Sequence, residues 1–344
     1  MEPITHFLTG AVLARAGFNR KTALATATMT LAAEAPDLDV LWGLKGPVVG
    51  FAHHRGFTHS FLGLILVSAV VTGFMYLVWR LRGRKTNIPN LPPQWGLLFA
   101  FAYIAGLSHI LLDYTNNYGV RPFWPFWEQW YSWGVAFILE PPILVLLLAA
   151  LVLPSLLSKR SRGETFRGSV AARVALILIV ALWLSRAYEA KRIVRTLGRE
   201  TFSSEPALRI SAYPYWTRVS RWRIGLLWSG IIETQSSFVM SDIVLSTRKL
   251  DESEKMVLPK PPETPEILAA KRSYVGRVYL DWAQYPLLSV SNEGEDSVVH
   301  FRDLRFGYPQ MQRNSLLTAS VTLDRHLNVI GEAMGPRRQS PPID

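Results

Sequence analysis

Polar and apolar positions divide this chain near residue 190. Before that point long apolar runs recur at roughly 57–79, 95–114, 134–156 and 172–188; after about 200, apolar and polar residues alternate between turn signals. The first run holds no charge over the 19 residues from Phe61 to Trp79. A helix rises about 1.5 Å per residue, so such a run spans most of a hydrocarbon core of about 30 Å. Four membrane-spanning helices are predicted. Two shorter segments precede them, 4–16 and 21–35, rich in Ala and Thr and joined by Gly17-Phe18-Asn19-Arg20. At about 20 Å each they are short for independent spans, and they predict a helical hairpin packed against the bundle.

In the second part the alternation predicts strands at 277–282, 297–301 and 316–323, with turns at Asn292-Glu293-Gly294 and Tyr308-Pro309. Residues 259–265 carry four prolines in seven positions and read as an extended connection; 336–344 read as a disordered tail. The expected fold is mainly α. A polytopic membrane helical bundle fills 1–190, and a C-terminal strand-rich soluble domain fills 200–335.

Charge adds an orientation. The net charge is +11, yet its dense clusters flank the apolar helices, as Lys and Arg do when they set membrane topology, so no nucleic-acid partner is expected. Arg80, Arg82, Arg84 and Lys85 follow the first spanning run, and Lys159, Arg160, Arg162 and Arg167 follow the third. Both loops are expected on the cytoplasmic side. The loop 115–133 between them carries Trp124, Trp127, Trp130 and Trp133, a composition suited to the opposite interface. The N-terminus has no basic stretch before its apolar run and predicts no cleaved signal. The cluster Arg186, Lys191, Arg192 and Arg195 opposes this topology for the last helix; an outward C-terminal domain is nevertheless the expectation.

Chemistry enters through the polar residues at the helix ends. There is no cysteine, which excludes disulfides, thiolate ligands, iron–sulfur clusters and cysteine nucleophiles; a metal would be held by nitrogen and oxygen. With the topology above, His6, Glu34, Asp37, Asp39, His54, His59, His109, Asp113 and Glu140 all fall on the outer side. His109 and Asp113 are four apart and share one helical face. Polar groups inside an apolar segment are costly and usually functional. Imidazole and carboxylate donors suit zinc, manganese or iron, and an ion with an open position activates water at neutral pH. Asp39 or Glu140 is positioned to take that water's proton, and Arg55 to grip a phosphate or other anion. Taken singly, His53 reads as an interfacial residue, His300 and His326 as surface residues, and the Trp cluster as an aromatic belt.

Thr5-His6 with Gly10, Ala35-Pro36-Asp37-Leu38-Asp39, His54-Arg55-Gly56-Phe57-Thr58-His59-Ser60 and Ser108-His109-Ile110-Leu111-Leu112-Asp113, in that order, resemble the YdjM-type family of membrane-bound metal-dependent hydrolases. The resemblance covers roughly residues 1–155, and Asp303-Leu304-Arg305-Phe306-Gly307 resembles an appendage of longer members. It implies His6, Asp37, His54, His59, His109 and Asp113 as ligands of a divalent metal, zinc with manganese as the alternative. It further implies phosphoester hydrolysis, by distant similarity to zinc-dependent phospholipases C and single-strand nucleases. The expectation is therefore a multi-pass protein of the bacterial cytoplasmic membrane whose site faces outward. Its substrate would be amphiphilic, a phospholipid or lipid-linked phosphate drawn from the bilayer. The alternative is a non-catalytic membrane scaffold in which the same residues hold a structural metal or fix helix packing. A transporter would need polar groups through the whole bilayer depth, and the inner halves of these helices offer few.

Overall fold

The computed structural model describes residues 1–84, 91–157, 164–202, 205–220, 223–307 and 317–335. The tail 336–344, the turn Tyr308-Pro309 and the basic residues Lys85, Lys159, Arg160 and Arg162 lie outside them. The chain forms two compact units. One comprises Met1–Asp39 and Arg55–Tyr188; the other comprises Val40–His54 and Glu189–Asp344. The sequence did not announce that a short stretch between two candidate ligand segments belongs with the C-terminal unit.

In the first unit, α1 (Pro3–Arg15) and α2 (Ala25–Glu34) form the predicted hairpin, linked through a 3-10 turn at Phe18–Arg20. Gly10 makes that pairing possible: a Cβ there would lie 2.5 Å from the Met29 carbonyl oxygen and 2.8 Å from the Ala33 Cβ. A 3-10 segment, Ala35–Lys45, leads to α3 (Pro47–His53), and a single 3-10 turn, Phe57–His59, precedes α4 (Phe61–Leu81). Then follow α5 (Trp95–Thr115), α6 (Pro141–Leu157) and α7 (Glu164–Leu197).

Among the described residues three helices are long and apolar enough to cross a membrane: α4, α5 and the Gly168–Leu197 part of α7. Their outward side chains, such as Leu66, Val70 and Phe74 on α4, are large, apolar and exposed, as a lipid-facing surface requires. The third predicted span starts later than its sequence pattern suggests. Pro141 opens α6, and the stretch before it is tied by backbone to the end of α5, with Val135 and Ala136 N–H both donating to the Thr115 carbonyl. The fourth is longer than predicted.

Small residues decide how closely these helices approach. Ala25, Met29, Ala32 and Ala33 of α2 pack against Leu98, Phe101, Ala102 and Ala105 of α5, while Leu64 of α4 fills the space left by Gly106. A second cluster joins Val12, Leu112, Ile143, Leu147, Ile179 and Trp183. The result brings the C-terminal ends of α2 and α5 and the start of α4 together.

The second unit contains two antiparallel sheets. β1 (Arg209–Ser220), β2 (Arg223–Glu233), β3 (Ser237–Val244) and β4 (Lys249–Leu250) pair in that order, with β5 (Met256–Pro259) also on β3. The other sheet is a meander of β6 (Pro286–Glu293), β7 (Asp296–Asp303), β8 (Thr318–Leu323) and β9 (Val329–Met334). Between the sheets in sequence lie α8 (Pro265–Arg272) and α9 (Tyr274–Trp282).

The stretch 277–282, expected as a strand, is thus helical. Ser273 caps α9 by accepting the Gly276 N–H, and Val275, Tyr279 and Trp282 fall on one buried face at helical spacing. Predicted strands 297–301 and 316–323 sit within or overlap β7 and β8, and Gly294 turns the β6–β7 hairpin with φ +69°. Asp303 and Arg305 form a fully buried pair, the guanidinium stacked 4.7 Å from the Trp282 ring.

Candidate metal centre

Three segments deliver four donors to one point in the first unit. Asp37 comes from the 3-10 segment after α2, where Pro36 interrupts the α-helical ladder. His59 ends the 3-10 turn before α4. That turn is fixed by Ser60, which donates to the Phe57 carbonyl at 2.8 Å and accepts the Gly63 N–H at 2.9 Å. A Cβ on Gly63 would fall 1.8 Å from the Phe57 oxygen, so only glycine lets the turn fold back on the first turn of α4. His109 and Asp113 come from one face of α5.

Ligand atoms of Asp37, His59, His109 and Asp113 all lie within 4.8 Å of one another. His59 Nε2 is 2.9 Å from His109 Nε2. The four His–Asp separations are nearly equal, at 3.4 Å (His59 to Asp37), 3.5 Å (His59 to Asp113), 3.5 Å (His109 to Asp37) and 3.4 Å (His109 to Asp113). Nitrogen and oxygen donors this close together could share one small cation such as zinc.

Two further observations fit a cation. Asp113 Oδ2 is buried with no hydrogen-bond partner among the described residues, although it faces the two imidazoles. Both rings also have their other nitrogen fixed. His109 Nδ1 is 2.7 Å from the Ala33 carbonyl oxygen, which can only accept, and His59 Nδ1 is 3.2 Å from Asp39 Oδ2. Each Nδ1 is therefore the proton-bearing nitrogen and each Nε2 is the one that would face an ion, the outer-shell arrangement characteristic of metal-bound histidine. With no ion bound, burial alone would lower the His59 pKa, but its contacts with Asp113, Asp37 and Asp39 prevail and hold it up at about 10. Burial would raise Asp37, yet its hydrogen bonds with His109 and His59 keep it well below the usual carboxylate range.

The remaining predicted residues surround the group in different ways. Asp39, 4% exposed, serves His59 and accepts the Arg55 backbone N–H at 2.7 Å, so it holds the ligand segments in place. Its replacement by Asn is expected to weaken metal affinity by about 10–100-fold, with folding retained; a zinc titration against a competing chelator checks this. Arg55 has φ +54°, unusual for a side chain of that size. Its guanidinium is buried, 2.7 Å from Asp113 Oδ1 and 3.0 Å from the Gly119 carbonyl, and lies over the Tyr118 ring. It is thus engaged in orienting Asp113, and an incoming anion would have to compete for it.

His6 lies beside the group. Its ring stacks on His109 with centroids 3.7 Å apart, and Nε2 is 3.4 Å from Asp113 Oδ1, which also pairs with the Met1 amino group. Burial pushes the His6 pKa down to about 3, leaving the ring neutral. His54 caps the end of α3 and is counted with the second unit.

Glu140 is elsewhere. Fully buried, it accepts the Phe137 N–H at 2.6 Å and pairs with Arg186 of α7. Glu34, to which no role was given, is half-buried with Oε2 unpartnered; burial first, then the neighbouring Asp37 charge, push it up to about 7. Only the position of Glu34 three residues before Asp37 could have signalled it. The Ala33 carbonyl carries no sequence signal at all.

A family model described as YdjM inner membrane protein matches residues 1–193. Among curated proteins the chain is similar to YfhP of Bacillus subtilis (strain 168), described as an uncharacterized protein, with 26% identity over 289 residues that cover 83% of this chain and 79% of that protein. No solved structure matches.

Proposed function

Since the chain belongs to the YdjM inner membrane protein family, we propose that this membrane protein is a metal-dependent hydrolase cleaving an ester, a phosphoester in particular, of an amphiphilic substrate. The observation that carries the reading is the Asp37–His59–His109–Asp113 group, with Asp113 Oδ2 buried against both imidazoles and both rings oriented from behind.

Those four residues would hold the ion, which when bound supplies Lewis-acid activation of water and of an ester oxygen. The donor set suits zinc, with manganese as the alternative. Asp39 and Arg55 fix His59 and Asp113 in place. His6 supports the His109 ring and offers a further nitrogen beside the same carboxylate. Access favours the Asp37 side, because its side chain is 18% exposed while those of His59, His109 and Asp113 are fully buried. Glu34, half-buried three residues before Asp37 with Oε2 unpartnered, is the proton carrier in this reading. Glu34→Gln is expected to lower kcat by about 10²-fold with metal content unchanged; equal loss of both would remove that role. The site faces the extracytoplasmic side of the cytoplasmic membrane in this proposal, where phospholipid and lipid-linked phosphates are within reach.

One observation favours the scaffold alternative: four protein donors can close a structural site. Structural zinc sites are predominantly cysteine-rich, however, and this one is built from imidazole and carboxylate with one ligand partly exposed. Elemental analysis of the detergent-purified protein beside His109→Ala and His59→Ala tests the centre, and assays on phospholipid micelles and soluble phosphoesters test the reaction. Metal lost in both variants, together with metal-dependent lipid cleavage, is expected. Bound metal without cleavage of any ester would leave the scaffold reading.

A further inference from the structure

The 3-10 segment Ala35–Lys45 carries an exposed apolar run that the metal centre does not use. Leu38, Val40, Leu41, Trp42 and Leu44 are 62%, 67%, 58%, 39% and 86% exposed. Isolated exposed leucines need no explanation, but five large apolar side chains within seven residues form a patch of the kind that marks an interaction surface. We propose that the 38–44 segment seats in the headgroup–acyl boundary of the same bilayer that α4 and α5 cross, and so delivers lipid headgroups to the metal centre. The second clause rests on the hydrolase reading above; the first does not.

Several features point to a bilayer rather than to another protein. The excursion from residue 40 to 54 is closed at its neck, where the Arg55 N–H donates to Asp39 at 2.7 Å. Phe61, the first residue of a spanning helix, lies only six positions after Arg55. At about 3.5 Å per residue the neck lies within about 20 Å of that helix start, even fully extended.

The composition suits an interface. No carboxylate occurs from Val40 to His54, Lys45 is 4.5 Å from the Trp42 ring, and a Trp with a nearby Lys is the pair that anchors proteins at anionic headgroups. The other limb of the excursion is already committed, since Phe51 packs 5.2 Å from Trp282 and 6.1 Å from Tyr279 within the C-terminal unit. In the Leu38–Leu44 limb Trp42 stacks on the His53 ring with centroids 4.4 Å apart, and Leu38, Val40, Leu41 and Leu44 stay exposed. Asp37, the ligand adjoining it, is also the partly exposed one of the four.

The absence of cysteine makes the test direct. Full-length protein carrying Leu41→Cys or Leu44→Cys, with Glu252→Cys on the C-terminal unit as the aqueous control, is labelled with an environment-sensitive fluorophore. Each is reconstituted into phosphatidylcholine–phosphatidylglycerol vesicles with or without nitroxide lipid. A side chain seated about 5–10 Å into the boundary is expected to give blue-shifted emission, about half of it quenched by nitroxide, at both test positions and not at Glu252→Cys.

Water-like emission at both overturns the proposal. So does blue-shifted emission that lipid nitroxide leaves intact, which would mean that a second copy or another protein covers the patch. The functional clause is tested by Leu41→Glu with Leu44→Glu, expected to lower turnover of vesicle lipid about tenfold while sparing a short-chain soluble phosphoester and the metal content. Equal turnover of both substrates overturns that clause. A wild-type protein that hydrolyses neither would remove the hydrolase reading and leave the quenching result standing.

Discussion

Asp113→Ala is expected to abolish metal uptake and to destabilise the protein by about 3–5 kcal/mol, the cost of leaving a buried charge without its partner. The two effects come from different oxygens of one carboxylate. Oδ2 faces the imidazoles of His59 and His109, whereas Oδ1 receives the Arg55 guanidinium at 2.7 Å and the Asn116 amide at 3.3 Å. Asp113→Asn separates them. It keeps an oxygen for Arg55 and loses the charge that an ion needs, so metal content should fall as in the alanine variant while the stability loss stays near 1–3 kcal/mol. Elemental analysis beside chemical denaturation in detergent checks both. Wild-type metal content in the asparagine variant would mean that the four-residue group is not the binding site.

Glu140→Ala is expected to be as destabilising, by about 3–5 kcal/mol, with no loss of metal. Glu140 and Arg186 are 0% and 5% exposed and pair across α6 and α7, so removing the acid strands a guanidinium among apolar side chains. Removing both charges at once has a different effect, because a buried ion pair contributes little over a well-packed apolar pair. Glu140→Leu with Arg186→Met should recover most of the lost stability. The same double variant decides the role of Glu140 in chemistry: turnover close to wild type identifies a packing residue, and loss of turnover with metal and stability retained would return it to the reaction.

The Asp37–His59–His109–Asp113 group was legible because each residue sits at a place where local sequence betrays it. His109 and Asp113 interrupt an apolar run, Asp37 follows a proline that ends a helix, and His59 stands just before the charge-free run Phe61–Trp79. Their convergence followed from helix order and length. Glu140 was read with them because the same reasoning placed it at the same level, and its partner is 46 residues away on another helix, a distance no periodicity bridges. The available signal was Arg186 itself, a charge inside an apolar helix that required an opposite charge nearby.

His54 and His59 looked alike as neighbours on one approach to α4. Yet Arg55 between them adopts a left-handed backbone, and the chain on its two sides goes to different units. The stretch 277–282 read as a strand because Val, Tyr and Trp favour strands; the deciding signal, Ser273 as a helix cap, lies four residues before it.

The Asp39–Arg55 neck has a consequence for how this architecture can diversify. Whatever lies between those two residues begins and ends at one hydrogen bond, and the entropy of closing such a loop grows by only about 0.6 kcal/mol for each doubling of its length. Inserts of quite different length and composition can therefore be spliced there without disturbing Asp37 or His59. The position is a natural graft point for the 15 residues Val40–His54.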